Sequence, residues 1–224
     1  MTTDNALELA INYLQEGYLD GNKPPGSTDV VAALLAAEKQ SKREKRRYTY
    51  AKLIGSWRLG FVSGTQTKRL RPEAKPMKTV GKGRFLPRFV TIAIAYEPIE
   101  KVPVNQVSTD GLSAPIVTTG DKFAGDYGSV QNSVTLGALN LQLKGPTRFW
   151  PKTNSLGFDF TEIRVQLGPL RLYNGGVRGG ELRNQEFSSQ TLKDQAFFTY
   201  FRVQPEYIAA RGKGGGLALW VRQS

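Results

Sequence analysis

The sequence predicts a mainly β protein, a small closed up-and-down β-barrel preceded by a short N-terminal helical segment. Two observations predict this class. The whole chain of 224 residues contains 24 glycines and 12 prolines. After Lys52, glycines and prolines separate roughly seven or eight short strand-like segments. The first and last of these segments carry residues expected at the two ends of a closed barrel. We therefore divide the chain into a helical segment, 1–48, ending in a basic cluster, and a barrel domain, 49–224.

The helical segment is predicted by apolar spacing. Apolar residues recur at helical intervals over Asn5–Tyr18, and Asp4 is a suitable N-cap. A second helix is expected over Val30–Ala37, after the capping sequence Ser27-Thr28-Asp29. We expect this second helix to run into the basic cluster.

The barrel domain opens with Gly55-Ser56-Trp57 and closes with Trp220-Val221-Arg222. A Gly-x-Trp in the first strand with an Arg in the last is typical of small barrels of the lipocalin type. There the Trp can plug one end of the barrel, and a cation can lie across the indole face. Because such barrels can hold an apolar small molecule, the pattern favours binding over catalysis.

The strand-like segments also predict the barrel interior. Over Phe85–Glu97, strict alternation predicts one strand with Ile92, Ile94 and Tyr96 on a single face. We expect the following residues to line a cavity or fill the core: Trp57, Phe61, Ile92, Ile94, Tyr96, Leu141, Leu143 and Phe160.

Two aromatic motifs complete the expectations for the barrel. Alternation through Phe158-Asp159-Phe160 predicts that Asp159 faces outward. Phe149-Trp150, between Arg148 and Lys152, is compatible with an exposed mouth at a membrane interface or with an ordinary hydrophobic corner.

Composition restricts the chemistry. The chain has no Cys and no His, which removes disulfides, thiolate ligands, the usual zinc ligands and the Ser-His-Asp arrangement. We therefore predict no catalytic residues and no metal site. No apolar run approaches the roughly 20 residues that span a bilayer, and the N-terminus lacks the pattern of a secretory signal. We expect a protein that meets membranes only peripherally.

The positive charge is concentrated in one stretch. The net charge is +12, yet residues 38–88 alone hold 16 Lys and Arg against 3 Asp and Glu, a net +13. Such a field attracts polyanions, although basic residues also suit a helix C-terminus. We expect residues 64–88 to form a basic loop. The candidate docking residues for an anionic surface are Lys42, Arg43, Lys45, Arg46, Arg47, Lys68, Arg69, Arg71, Lys75, Lys78, Lys82, Arg84 and Arg88.

Three segments resemble the plastid lipid-associated proteins, also called fibrillins or plastoglobulins. The start Leu53–Leu59 is similar to that family's L-x-G-x-W-x-L, Val130–Val134 to its V-x-N-x-V strand, and Arg211–Leu219 to its R-G-x-x-G-x-L close. The resemblance covers roughly residues 50 to 222, as one domain-sized unit. The acidic N-terminus, unlike an Arg-rich transit peptide, favours a cyanobacterial-type member.

The resemblance implies a lipocalin-like barrel that binds lipids, carotenoids or quinones at the cytoplasmic side of the thylakoid membrane, without catalysis. Three alternatives remain open. The basic segment can dock an assembly factor on an acidic photosynthetic or light-harvesting complex. A nucleic-acid binder is less favoured, because the aromatic residues alternate inward and are not interleaved with the basic ones. A pigment lyase on a similar barrel would need an acid–base pair, and the sequence indicates none.

Overall fold

The computed structural model describes residues 3–16, 23–68, 77–98, 126–177 and 179–223. The helices in these ranges are α1 (Thr3–Gln15), α2 (Ser27–Arg43) and α3 (Gly180–Glu186), with 3-10 turns at Tyr50–Lys52 and Phe187–Ser189. The strands are β1 (Gly55–Lys68), β2 (Met77–Phe85), β3 (Val90–Pro98), β4 (Tyr127–Leu136), β5 (Leu139–Trp150), β6 (Ser155–Phe158), β7 (Glu162–Leu167), β8 (Leu170–Gly176), β9 (Ala196–Val203), β10 (Tyr207–Gly212) and β11 (Leu217–Arg222).

Eight of these strands close an antiparallel barrel, which confirms the predicted fold class. Strands β1, β3, β4, β5, β6, β9, β10 and β11 each pair with the next, and β11 pairs back to β1. Chain order and spatial order therefore agree, as in an up-and-down barrel.

Three further strands, β2, β7 and β8, replace the closed pairing in one half of the barrel. We call this half the open half and the other the closed half. The hairpin partner β2 pairs with the second half of β1, over Phe61–Lys68. Strand β7 pairs with the first half of β5, and β8 pairs with the other edge of β7. Strand β6 pairs with the second half of β5, and β9 pairs with the other edge of β6. The sheet therefore splits between β8 and β9. We call the end with the β5–β6 and β9–β10 turns the base, and the end with the β4–β5 and β7–β8 turns the mouth.

Aromatic side chains fill the closed half. One buried cluster draws residues from all eight barrel strands, which places it inside the barrel. Its largest members include Trp57, Tyr96, Phe149, Tyr200 and Trp220, each no more than 3% exposed. Since interiors pack at the density of organic crystals, this half has its own side-chain core.

A second buried cluster lies outside the barrel. Apolar residues of α1 and α2 pack on the outer faces of β1, β9, β10 and β11. The predicted helical segment thus covers one side of the barrel instead of standing apart from it.

Phe61 belongs to this outer core, whereas alternation from Trp57 places it in the barrel interior. The reason is a β-bulge between Leu59 and Phe61, which inserts Gly60 and reverses the side-chain alternation. Phe61 is fully buried, but against the helices.

The predicted basic loop is largely β-structure. Residues 64–68 end β1 and residues 77–85 form β2; the segment between them lies outside the described residues. A run of cations does not by itself indicate a loop, because edge strands such as β2 readily carry Lys and Arg. The single strand expected over 85–97 is also divided, because β2 ends at Phe85 and a turn precedes Val90.

One aromatic motif differs from the expectation, and for the other the structure favours the hydrophobic corner over the exposed mouth. Asp159 is 5% exposed and pairs with Arg183, because the chain breaks from strand geometry between β6 and β7. Phe149 is buried inside the base, so it forms no mouth. Among the helices in the described ranges, none combines the length and apolar character needed to cross a bilayer.

Candidate functional site

The base of the barrel is sealed by the segment that precedes β1. Tyr48, Tyr50 and Leu53 are buried in the interior cluster. The Trp57 indole Nε1 donates a hydrogen bond to the Leu53 carbonyl at 2.7 Å. The Tyr50 hydroxyl lies 3.1 Å from the Thr147 hydroxyl of β5. These bonds fix the seal to the first strand and to the opposite wall.

The predicted cation–indole pair is present. The Arg222 guanidinium carbon lies 3.9 Å from the centre of the Trp57 ring, and the two residues face each other across β1 and β11. Gly55 makes room for this pair, because a Cβ there would come within 2.5 Å of the Arg222 guanidinium. Its φ of +121° also favours glycine.

Two tyrosine hydroxyls meet in the closed half of the barrel. The hydroxyl oxygens of Tyr96 and Tyr200 are 2.6 Å apart, and both side chains are fully buried. Burial raises the pKa of each phenol well above its ordinary value, since an anion there would be desolvated. The pair is therefore a neutral hydrogen-bonded link across the barrel.

The open half presents an apolar inner face. Val130 lies in the interior core, and alternation along β4 puts Val134 on the same face. Register then places Leu141 of β5 opposite Val134, and Val165 of β7 opposite Leu141. The half-buried members of this face, which we call the inner apolar face, are Ile92, Val134, Leu141, Leu143, Ile163 and Val165.

Asn132 interrupts the inner apolar face. Its register partners are Ile94 on β3 and Leu143 on β5, so its amide lies among apolar side chains. The Oδ1 atom is buried and has no hydrogen-bond partner among the described residues. Since an unpaired buried polar atom costs about 1–3 kcal/mol, the amide is a natural partner for a polar group of an incoming molecule.

The expected cavity and core residues divide into three groups. Trp57, Ile94 and Tyr96 lie in the interior core, and Phe160 packs against it. Phe61 lies in the outer core. The remaining three, Ile92, Leu141 and Leu143, are half-buried on the inner apolar face.

Sequence reasoning missed four residues of this region: Asn132, Val134, Ile163 and Val165. The signal was present. Period-2 alternation over Val130–Val134 and Glu162–Leu167 would have placed them on one face.

The basic residues are separated by folding. Lys42, Arg43, Lys45 and Arg47 are exposed around the end of α2, where Asn154 of the β5–β6 turn donates a bond to the Arg46 carbonyl. That cluster therefore lies towards the base.

The second group follows β2 and its loop to β3. Lys78, Lys82, Arg84 and Arg88 are exposed there, on the side of the mouth. Arg69, Arg71 and Lys75 lie outside the described residues, and of Lys68 only the backbone is described.

Two surface pockets lie away from the inner apolar face. One, of about 400 Å³, is between α1 and the start of α2, and includes Tyr13 and Asp29. The other, of about 460 Å³, is beside Arg58 and Arg222 at the base. Within the described ranges, no group of three or more carboxylates, His or Cys is placed to hold a metal ion.

No protein-family model and no curated protein matches this sequence. Among solved structures, the chain is similar to a redesigned β-barrel, with 10% identity over 79% of this chain and 96% of that chain, and a TM-score of 0.32. The strand register itself establishes the barrel described above.

Proposed function

We propose that this chain binds a lipid or a lipophilic pigment or quinone without catalysis, at the cytoplasmic side of the thylakoid membrane, as a member of the plastid lipid-associated protein family. The observation that carries the proposal is the inner apolar face. It begins at the buried interior core and continues, half-exposed, into the open half of the barrel.

The division of the barrel supports this kind of ligand. The closed half is filled by its own aromatic side chains, so a ligand would lie in the open half, between β7–β8 and the β9–β11 side. Covering half-exposed Leu, Ile and Val side chains releases about 25 cal/mol for each Å² removed from water. A small apolar molecule fits this surface better than a polar one.

The polar content of the face favours binding over catalysis. Asn132 carries the unpaired amide oxygen, and no side chain named on the inner apolar face is ionisable. General acid–base catalysis needs a titratable group within reach of the reacting atoms. The membrane and the family enter the proposal through the resemblance of Leu53–Leu59, Val130–Val134 and Arg211–Leu219.

The test begins with extraction of the purified protein from its native host with organic solvent, followed by absorption spectroscopy and lipid analysis. A carotenoid, quinone or lipid in stoichiometric amount supports the proposal. A protein that yields nothing, and that also fails to bind such molecules added in vitro, contradicts it.

A matched pair of variants locates the ligand. Leu141→Ser changes the inner apolar face, whereas Gln142→Ser changes the next residue of β5, which points to the other side of the sheet. We expect Leu141→Ser to weaken binding by about tenfold, the effect of 1.4 kcal/mol, and Gln142→Ser to leave it unchanged. Equal effects would place the ligand elsewhere.

A second candidate function is an assembly factor that docks on an acidic photosynthetic or light-harvesting complex. The filled closed half favours it, because a packed core needs no ligand. Co-purification of the protein with such a complex, without extractable lipophile, would support this alternative.

A further inference from the structure

The mouth of the barrel carries a row of exposed apolar side chains. Leu136 ends β4, Leu139 begins β5, Leu167 ends β7 and Leu170 begins β8. Each is paired in register with the next. Their exposed fractions are 47, 40, 48 and 60%. We call these four residues the leucine rim.

The row extends to a fifth strand, β3. Val90 of β3 pairs with Leu136, and the residue before it, Phe89, is 70% exposed. Large apolar residues scattered singly on a surface need no explanation, but a contiguous row across five neighbouring strands marks an interaction surface.

The leucine rim continues the inner apolar face outward. Along β4, Val130 is fully buried, Val134 is half-buried and Leu136 is 47% exposed, all on one face of the strand. The apolar surface therefore runs from the rim towards the core, and on β4 the Asn132 amide is the polar group along it.

In the described segments that build the rim, the charge has one sign. The segments that build it, 77–96, 129–143 and 163–177, contain no Asp or Glu. They contain six cations with exposed side chains: Lys78, Lys82, Arg84, Arg88, Arg164 and Arg171. Apolar residues bordered by these cations complement a surface with an apolar interior and an anionic face, which is an anionic lipid bilayer.

We propose that the leucine rim and Phe89 insert into the interface of an anionic membrane, with the flanking cations at the headgroups, so that the mouth of the barrel opens onto the lipid. This inference deepens the proposed function and rests on its membrane location. It assigns the contact to the mouth, whereas the sequence-predicted docking residues also include the Lys42–Arg47 cluster towards the base.

The sequence allows a direct test, because the chain contains no Cys. Leu170→Cys is labelled with a polarity-sensitive fluorophore and mixed with vesicles of phosphatidylglycerol and phosphatidylcholine. Leu35→Cys on α2, where Leu35 is 37% exposed, gives the matched control. We expect a blue shift at position 170 and none at position 35. A shift at 35 alone, or at neither position, overturns the proposal.

Vesicle sedimentation measures the contribution of the rim. Replacing all four rim leucines by Ser should lower partitioning into anionic vesicles by roughly a hundredfold, since apolar burial accounts for most of the affinity of such a contact. Leu182→Ser, at a 71% exposed leucine of α3, should change it by less than about twofold. Circular dichroism checks that both variants keep the wild-type fold.

The outcomes separate this inference from the proposed function. Vesicle binding that survives in the four-serine variant and is lost when Lys42, Arg43 and Lys45 are neutralised places the contact at the base and refutes the rim. The label at position 170 could also be shielded before vesicles are added, to a degree that rises with protein concentration. That result would show that the rim contacts a second copy of the chain, and it would overturn the proposal. If the rim inserts into vesicles but the protein binds no lipophile, the proposed binding function is refuted and the membrane contact of the rim is supported.

Discussion

At the scale of single residues, the Tyr96–Tyr200 pair is the clearest stabilising polar contact of the barrel interior. The two hydroxyls are 2.6 Å apart in a fully buried setting. Tyr200→Phe leaves the Tyr96 hydroxyl unpaired, so we expect a loss of about 1–2 kcal/mol in the free energy of unfolding, measured by urea denaturation. The double variant Tyr96→Phe, Tyr200→Phe should lose less than the sum of the single changes.

Because of the same tyrosine pair, we expect the folded protein to lose stability at alkaline pH. Burial raises the folded-state pKa of both phenols above the ordinary 10.0. Their contribution to stability is therefore complete below pH 10 and declines as the pH rises above it, because the unfolded state releases protons that the folded state retains. The double Phe variant should show a weaker decline. An identical alkaline profile in both proteins would contradict the assignment.

Replacing Asn132 should change the stability of the protein and its selectivity among ligands in opposite directions. Its Oδ1 is buried without a partner, so Asn132→Leu should raise the stability of the ligand-free protein by about 1 kcal/mol. It should also reduce the preference for a lipophile that carries a hydroxyl over the same molecule without one. Ligand titrations on both proteins measure this ratio. A lower stability with an unchanged ratio would show that Asn132 has another role.

At the scale of elements, α2 is attached to the barrel by a partly buried ion pair. Glu38, 7% exposed, accepts hydrogen bonds from Arg211 Nε of β10 and from Lys42 Nζ of its own helix, both at 2.9 Å. The Arg211 side chain is 27% exposed, which lowers the effect expected for a buried pair. Glu38→Gln should therefore cost about 1–2 kcal/mol in urea denaturation, with Glu44→Gln, at the residue that follows the helix, as a milder control.

This ion pair also gives a pH dependence. Burial raises the pKa of the Glu38 carboxyl, but the bonds from Arg211 and Lys42 outweigh it and hold the pKa below the ordinary 4.5. The contribution is thus present above pH 4.5 and is lost as the pH falls through the folded-state pKa. The stability difference between wild type and Glu38→Gln should shrink below pH 4.5. A difference independent of pH would contradict this.

Helix α1 is held by close packing at one glycine. A Cβ on Gly60 would lie 2.4 Å from a methyl carbon of Leu14, so Gly60→Val should push α1 away from β1. We expect faster hydrogen exchange over residues 3–16. Gly64→Val, on the same strand with nothing within 4 Å of the added Cβ, is the matched control. Equal exchange in the two variants would refute the role of Gly60.

The β-bulges explain where sequence reasoning succeeded and failed. Regular alternation correctly put Ile94 and Tyr96 in the interior, and the pattern of a first-strand Trp with a last-strand Arg correctly predicted the Trp57–Arg222 pair. It failed at Phe61, because an inserted residue shifts the side-chain phase without leaving a distinctive local pattern. The basic segment near residue 80 was misinterpreted for a different reason: its pairing with β1 depends on long-range register, which local composition does not encode.

At the scale of the whole molecule, one run of positive sequence becomes two separate surfaces. The Lys42–Arg47 cluster lies towards the base, and the cations of β2 lie towards the mouth beside the leucine rim. The candidate site could be predicted from sequence only in part. Alternation identifies apolar faces, but the splitting of the sheet that exposes Leu141 and Val165 depends on how β5 divides its pairing between β6 and β7.

The proposed membrane contact, in which cations lie beside the leucine rim, predicts a two-component salt dependence of binding. Screening shortens the reach of exposed charges from about 10 Å at 0.1 M salt to about 3 Å at 1 M, whereas apolar insertion is not screened. Vesicle binding by the wild type should therefore fall with added NaCl and level off at a residual value. In the four-serine rim variant this residual value should be much smaller, since Phe89 is then the one apolar side chain of the proposed contact that remains. Sedimentation with anionic vesicles over a NaCl series measures both curves. A residual plateau of equal height in the two proteins would mean that the apolar contact lies elsewhere on the barrel.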